Sequence, residues 1–300
     1  MGRQDITPEL EPAAIRRFTK ALLDDLRALE RILAEGMIES GARRFGAEQE
    51  VFLVGQDWRP APIATQVLAQ LDDERFTTEL ALFNAEINLE PMRLGGECFS
   101  QLEQELTKLL GQIDAAARSV GGTVVMSGIL PSLSKSDLSI ENITPRPRYF
   151  ALNEAVTRLR GGPLRLHIQG TDELNIEHDS VMLEACNTSF QVHFQVSADE
   201  FVRLYNVAQL IAAPVVAAAA NSPLLFGKRL WKETRIALFQ QSIDTRSASP
   251  HMREFSPRVR FGERWLKGSV VDAFEEDIAR FTVLMAREVS ESPFDVLADG

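Results

Sequence analysis

Several protein classes are excluded by what this chain of 300 residues has little of. Two cysteines, Cys98 and Cys186, are too few for a disulfide framework and suit a reducing compartment. Basic excess is lacking too. The 32 Lys and Arg stand against 43 Asp and Glu, and a net charge of −11 argues against a general nucleic-acid-binding role. The segment Met1–Thr7 has no apolar region of the kind that marks a secretory leader. The longest apolar run, Leu210 to Ala220, contains Pro214 and is too short and Ala-rich to span a bilayer. No G-x-x-x-x-G-K-[ST] or G-x-G-x-x-G occurs, so neither a P-loop nor a Rossmann nucleotide site is indicated. Internal repeats, low-complexity tracts and a dividing linker are also missing. The expectation is a cytoplasmic protein with no nucleic-acid or membrane partner.

What is present is ordinary globular material, 45% hydrophobic and 25% charged, enough for a sizeable core. Three stretches carry the chemistry. Arg44 to Val54 is rich in β-branched and aromatic residues and predicts a strand with Glu48 and Glu50 on one face. Two carboxylates that close repel unless a cation lies between them, and hard oxygen donors suit Mg²⁺. The alternative is an edge strand with both Glu in water. Leu82 to Pro91 alternates, with Glu86, Asn88 and Glu90 opposite Ala85, Ile87 and Leu89. Thr188 to Val196 repeats the pattern, with Gln191, His193 and Gln195 opposite Phe190, Val192, Phe194 and Val196. The polar faces hold oxygen and nitrogen donors and no Lys or Arg, which points to the lining of a site.

Around these strands the periodicity predicts helices over about 12–35, 64–72, 97–120, 149–159, 197–220, 232–240 and 268–290. Thr7 and Pro8 read as a helix start. Further strands are expected near 75–81, pairing with the Glu86 strand as a hairpin, and at 123–131 and 164–170. Residues 132–148 read as a long loop, 242–257 as irregular. Helices on one side of an antiparallel sheet with an acidic face make an α+β arrangement.

Three segments resemble the glutamate–cysteine ligase superfamily. They are Phe45-Gly46-Ala47-Glu48-Gln49-Glu50-Val51-Phe52-Leu53, Met182 to Asn187 running through Gln191 to Phe194, and Ala219-Ala220-Asn221-Ser222-Pro223 to Lys228. The resemblance implies a glutamine synthetase-like fold, a curved antiparallel sheet forming a funnel-shaped site with helices on its outer face. It also implies an ATP-dependent carboxylate–amine ligase joining glutamate to cysteine through a γ-glutamyl phosphate, with Mg²⁺ or Mn²⁺ and ATP as co-substrate. Glu48 and Glu50 would be metal ligands and catalytic, Glu86 or Glu90 would complete one metal site, and His193 would stand on a second. His193 has two other readings, a hydrogen bond to phosphate or substrate and a satisfied sheet histidine.

Arg235, shortly after the Asn-Ser-Pro turn, is the candidate phosphate contact, its planar fork matching phosphate oxygens. A surface arginine paired within its own helix is the alternative. Gln191 and Arg165, the latter beside Gly161-Gly162, are further nucleotide candidates. The resemblance leaves room for a homodimer, for another amine, and for a non-catalytic domain that senses ATP or an amino acid. Ligases of this superfamily also carry a late Glu-x-Arg strand. Here the only such triplet, Glu233-Thr234-Arg235, follows the turn closely and looks helical. Residues 1–300 are therefore expected to be a single catalytic domain truncated at its C-terminus.

Overall fold

A computed structural model describes residues 12–246, 257–260, 264–286, 289 and 291–299. The expected Thr7–Pro8 helix start and most of the 242–257 segment lie outside the described residues.

The chain opens with α1 (Pro12–Ala34), closed by Gly36 at φ 67°, a left-handed conformation that glycine adopts without strain. The central strand β1 (Arg44–Val54) follows, then α2 (Ala64–Leu68) and the expected hairpin of β2 (Phe76–Thr78) and β3 (Asn84–Arg93). Next come α3 (Cys98–Ser119), β4 (Thr123–Val125) and α4 (Pro147–Arg160). A separate hairpin is formed by β5 (Leu164–Gln169) and β6 (Glu173–His178), the latter unforeseen from sequence. Then follow β7 (Phe190–Phe194), α5 (Phe201–Ala218) and a small hairpin of β8 (Leu224–Leu225) and β9 (Lys228–Arg229). The chain continues with α6 (Arg235–Ser242), α7 (Val270–Arg280) and α8 (Pro293–Asp299). The mixture of antiparallel sheets and packed helices is α+β, as expected.

Three expectations need adjustment. The strand expected over 123–131 stops at Val125. The long loop of 132–148 contains two short 3-10 turns, Lys135–Leu138 and Ile140–Asn142. The last amphipathic helix ends at Arg280, where Phe281 turns extended, and a further helix follows.

The main sheet runs β2-β3-β1-β4, with β7 also on β1, and every pairing is antiparallel. Both β7 and β4 lie on the second edge of β1, β7 beside Phe45–Gln49 and β4 beside Phe52–Val54. Glu50 falls at the changeover. Its N–H donates to the Ser189 carbonyl at 2.9 Å, just before β7 begins.

Alternation along β1 divides the molecule. Ala47, Val51 and Leu53 face one way and join Ala85, Ile87 and Leu89 of β3 under Leu109, Ile113 and Ala117 of α3. Fully burying such a Leu or Ile contributes about 1.5–3 kcal/mol, so this layer pins the register of β1 against β3. Facing the other way, Phe52 and Val54 enter a second core with Phe83, Ile129, Leu166, Ile168, Met182 and Leu238. Glu48 and Glu50 share that face. The strand therefore changes along its length from a polar segment to a buried apolar anchor.

Not every apolar face is covered. Phe190, Val192 and Phe194 of β7 are exposed, and α5 has no buried residue. Among the described residues α5 is the one helix long and apolar enough, by length and composition alone, to cross a bilayer.

Candidate functional site

The register of β1 on β3 sets Glu50 opposite Glu86 and Glu48 opposite Asn88, while β7 brings Gln191 beside Glu48 and His193 beside Gly46. The hairpin adds Glu79, just past the end of β2, where the Leu80 N–H donates to Glu79 Oε2 at 3.3 Å. One carboxylate oxygen from each of Glu50, Glu79 and Glu86 lies within 4.8 Å of the other two. At that spacing two ionised carboxylates repel by about 3 kcal/mol at an effective dielectric of about 20.

Local hydrogen bonds fix the acids without neutralising them. Glu50 accepts from the Ser189 N–H at 2.8 Å and from Gln191 Nε2 at 3.2 Å. Glu86 accepts from Thr77 Oγ1 at 3.0 Å and Asn88 Nδ2 at 2.8 Å. Among the described residues no Lys or Arg is ion-paired to Glu50, Glu79 or Glu86. A fourth acid, Glu184, stands in the 3-10 turn Val181–Cys186.

Electrostatics follows from that geometry. Burial, then the charges of Glu184, Glu50 and Glu86, hold Glu79 well above the ordinary carboxylate range. Burial and the Glu50 charge push Glu184 up to about 7. Burial also raises Glu50, partly offset by its hydrogen bonds to Ser189 and Gln191. The crowding favours the protonated form of each of these groups, and a cation among them would oppose that. Hard oxygen donors without sulfur or a neighbouring ammonium suit Mg²⁺ or Mn²⁺, so the donor set fits a divalent cation.

Two clefts adjoin the cluster. One of about 920 Å³ is lined by Glu48, Glu79 and Glu86 together with Arg146, Arg148 and Tyr149. The second, about 610 Å³, is lined by Glu50, Glu184, Asn187 and Arg235 with an apolar wall that includes Phe190, Val215 and Phe239. Within it, Asn187 Oδ1 is buried and has no hydrogen-bond partner among the described residues, although its Nδ2 donates to the Glu184 carbonyl at 3.0 Å.

Arg235 reaches this second cleft from the first turn of α6. It is also gripped by Glu233, Nε to Oε1 at 2.5 Å and Nη2 to Oε2 at 2.9 Å, while Nη1 donates to the Thr188 carbonyl at 2.8 Å. Glu233 in turn accepts from Ser222 Oγ at 2.7 Å. Arg235 is therefore a half-buried cleft residue with a local ion pair, and its partner Glu233 precedes α6, so it is not the surface arginine paired within its own helix.

The structure gathers Glu50, Glu86 and Gln191 and adds Glu79 and Glu184, which the sequence reading did not name as ligands. Glu48 lies one step along β1 and pairs with His193, Oε1 to Nε2 at 3.3 Å, on the rim. Glu90 is not brought in. A bulge places one extra residue of β3 between the Ala47–Leu89 and Phe45–Met92 pairs, and Glu90 within it is exposed. Arg165 is also elsewhere, exposed on β5 and paired with Glu177 of β6 at 2.8 Å. Alternation alone exposed Glu50 and Glu86. A signal for Glu79 and Glu184 was present only as acids next to apolar runs.

Fold and centre together define an α+β protein with a carboxylate-lined site of the kind that hosts a divalent cation. Residues 44–274 match glutamate-cysteine ligase family 2, and the chain belongs to that family. Membership makes it, in broad terms, a glutamate–cysteine ligase-like ATP-dependent ligase. No curated protein matches the chain.

Proposed function

We propose that this chain joins the γ-carboxylate of glutamate to the amine of cysteine at the expense of ATP, on a glutamine synthetase-like sheet whose acid-bearing face forms a funnel. The observation that carries the reading is the Glu50–Glu79–Glu86 cluster, three carboxylates held together between two clefts with no basic ion-pair partner among the described residues. Those three residues would hold a divalent cation, with Glu48 and His193 as a candidate second position. Such an ion supplies charge neutralisation where a carboxylate meets a triphosphate.

The chain's own groups do the rest. Arg235 and Asn187 offer donor and acceptor atoms to phosphate and nucleotide in the apolar-walled cleft, and Gln191 steadies Glu50. Attack of the glutamate carboxylate on the terminal phosphoryl group releases ADP and leaves an acyl phosphate. Attack of the amine on its carbonyl carbon then expels phosphate and forms the amide. Tyr149 and the walls of the larger cleft exclude water from that carbonyl. The test is ADP release that depends on both amino acids in the presence of Mg²⁺. Absence of ADP with glutamate and every amine tried would remove the reading.

A second reading has its own observation. The bidentate Glu233–Arg235 pair already occupies the guanidinium that a phosphate would need. A domain that binds ATP or an amino acid without turnover accommodates this. Tight calorimetric binding with no ADP release separates it from the ligase.

A further inference from the structure

Among the described residues, the two other than glycine with a left-handed backbone are both aromatic, Phe226 at φ 49° and Trp58 at φ 62°. Bulky side chains rarely adopt that region, and such strain persists only where something offsets it. For Phe226 the offset is internal, because its ring packs against the second core. Trp58 has no such cover and is 64% exposed. Its indole N–H has no acceptor among the described residues, whereas Trp231 Nε1 donates to the Gln169 carbonyl at 2.8 Å. A strained aromatic presented to solvent points to a contact made with something other than the chain itself.

The turn that carries Trp58 is clamped from several sides. Val54 bridges Pro60, the Gly55 N–H donates to the Arg59 carbonyl at 2.9 Å, and the Trp58 N–H donates to the Gly55 carbonyl at 3.0 Å. Ser132 Oγ donates to the Trp58 carbonyl, and Arg59 Nη2 donates to Ser134 Oγ at 3.0 Å. Asp57 is turned back to accept from the Arg59 N–H at 3.1 Å. The indole is therefore displayed from a fixed backbone.

Trp58 lines a cleft of about 410 Å³ with Gln56, Arg118, Thr123 and three glycines, Gly55, Gly121 and Gly122. None of them lines either cleft of the acidic centre. The glycines contribute no side chain, which leaves room for a flat ring beside the indole. Arg118, in the last turn of α3, is oriented by its neighbours: Nε donates to Asp114 at 2.7 Å and Nη2 to Thr123 Oγ1 at 3.2 Å. Its Nη1 has no partner among the described residues. Asp114 also accepts from the Thr123 hydroxyl at 2.7 Å and the Val124 N–H at 3.0 Å, so its charge is met three times over within the chain. The guanidinium is thus positioned and still able to receive an anion. A volume near the low end of ligand pockets suits one ring system and one anionic group.

We propose that this cleft binds a planar aromatic ring carrying a single anionic group, the chemistry of a nucleoside monophosphate. The ring stacks on Trp58, the anion meets Arg118, and the Gln56 amide reaches the ring edge. The site is separate from the acidic centre and does not depend on the ligase reading.

Calorimetry on the whole chain in a chelator, which withholds divalent cation from the acidic centre, tests it with AMP, adenosine, inorganic phosphate and indoleacetate as probes. Wild type binds AMP, and adenosine binds about tenfold or more weakly. Arg118→Gln brings AMP down to the adenosine level and leaves adenosine unchanged. Trp58→Gly weakens both by about tenfold or more. Its urea midpoint stays at about the wild-type value, because glycine accepts the left-handed turn and the lost ring was exposed. Indoleacetate binding in place of AMP, with the same response to both variants, keeps the ring-and-anion site and assigns it to an aromatic carboxylate. The proposal is overturned by wild type that binds neither AMP nor indoleacetate, by inorganic phosphate binding as tightly as AMP, or by variants that bind as wild type does. A Trp58→Gly midpoint well below wild type also overturns it, since the indole would then be held by the chain's own packing.

Discussion

Glu50 and Glu86 face each other directly across β1 and β3, in adjacent antiparallel strands with no basic residue between them. Like charges opposite one another destabilise a sheet pair. This pair is retained in a register that the Val51, Leu53, Ile87 and Leu109 layer enforces from the far side.

If the pair belongs to a cation centre, charge-removing substitutions rank by membership of the triad. Glu50→Gln, Glu79→Gln and Glu86→Gln each weaken Mn²⁺ binding by about 10–100-fold, a range taken from changes next to metal sites. Glu48→Gln has a smaller effect and Glu90→Gln none. Titration followed by electron paramagnetic resonance gives the order, and a Glu90 effect as large as that of Glu79 would contradict it.

Stability of the cation-free protein should fall between pH 4.5 and about 7. Glu184 titrates near 7 when folded, against an ordinary value of 4.5, because burial and the Glu50 charge oppose its ionisation. Below pH 4.5 both folded and unfolded chains hold the proton and no penalty arises. Through the interval the unfolded chain ionises first, so stability is lost, on the order of 3 kcal/mol from this residue. Glu79 acts in the same direction. Urea unfolding in a chelator across this range measures the slope, and a divalent cation should raise the melting temperature more at pH 8 than at pH 5. A flat profile would falsify the buried-acid account.

Glycine positions with no spare room give a graded series. A methyl group at Gly170 would come within 2.5 Å of the Leu230 backbone, and one at Gly128 would approach Asn221 Oδ1 at 2.3 Å and Arg235 Nε at 2.8 Å. At Gly46 the nearest atom is 3.8 Å away. Gly170→Ala should therefore cost about 1–3 kcal/mol, since backbone cannot yield. Gly128→Ala should disturb nucleotide affinity by pushing on Arg235, and Gly46→Ala should be tolerated. Denaturant midpoints and nucleotide titrations separate the three, and equal midpoints for Gly170→Ala and Gly46→Ala would oppose the steric argument.

Exposure along α5 predicts indifference. Leu210 is 66% exposed and Val215 57%. Leu210→Gln should change unfolding free energy by no more than about 0.5 kcal/mol, as for surface substitutions elsewhere. A loss several times larger would mean that this face is covered in solution.

The sequence made the sheet legible where one face is buried and alternation is strict. Glu48, Glu50, Glu86 and Asn88 were placed on their correct common face from the period of two alone, and the β2–β3 hairpin was expected. Glu90 failed because a bulge breaks the period, and Pro91, which has no N–H to give the ladder, is the one sign of it in the sequence. Arg165 failed because its partner strand β6 was not foreseen, and Glu177 there holds the guanidinium. Glu79 and Glu184 lie outside any alternating stretch, one past a strand end and one in a 3-10 turn. The strand order, β2 beside β3 beside β1, makes Glu79 a neighbour of Glu50, and Glu184 lies in the turn that leads into β7 on the other edge of β1.

That order has a mechanical side. Glu79 and Glu86 ride on the outer hairpin, whereas Glu50 belongs to the strand at the centre of the sheet. Any ion grasped by all three rivets the rim of the molecule to its middle. Amide exchange at Thr77 and Asn88 should slow on loading, while the β5–β6 hairpin keeps its own pace.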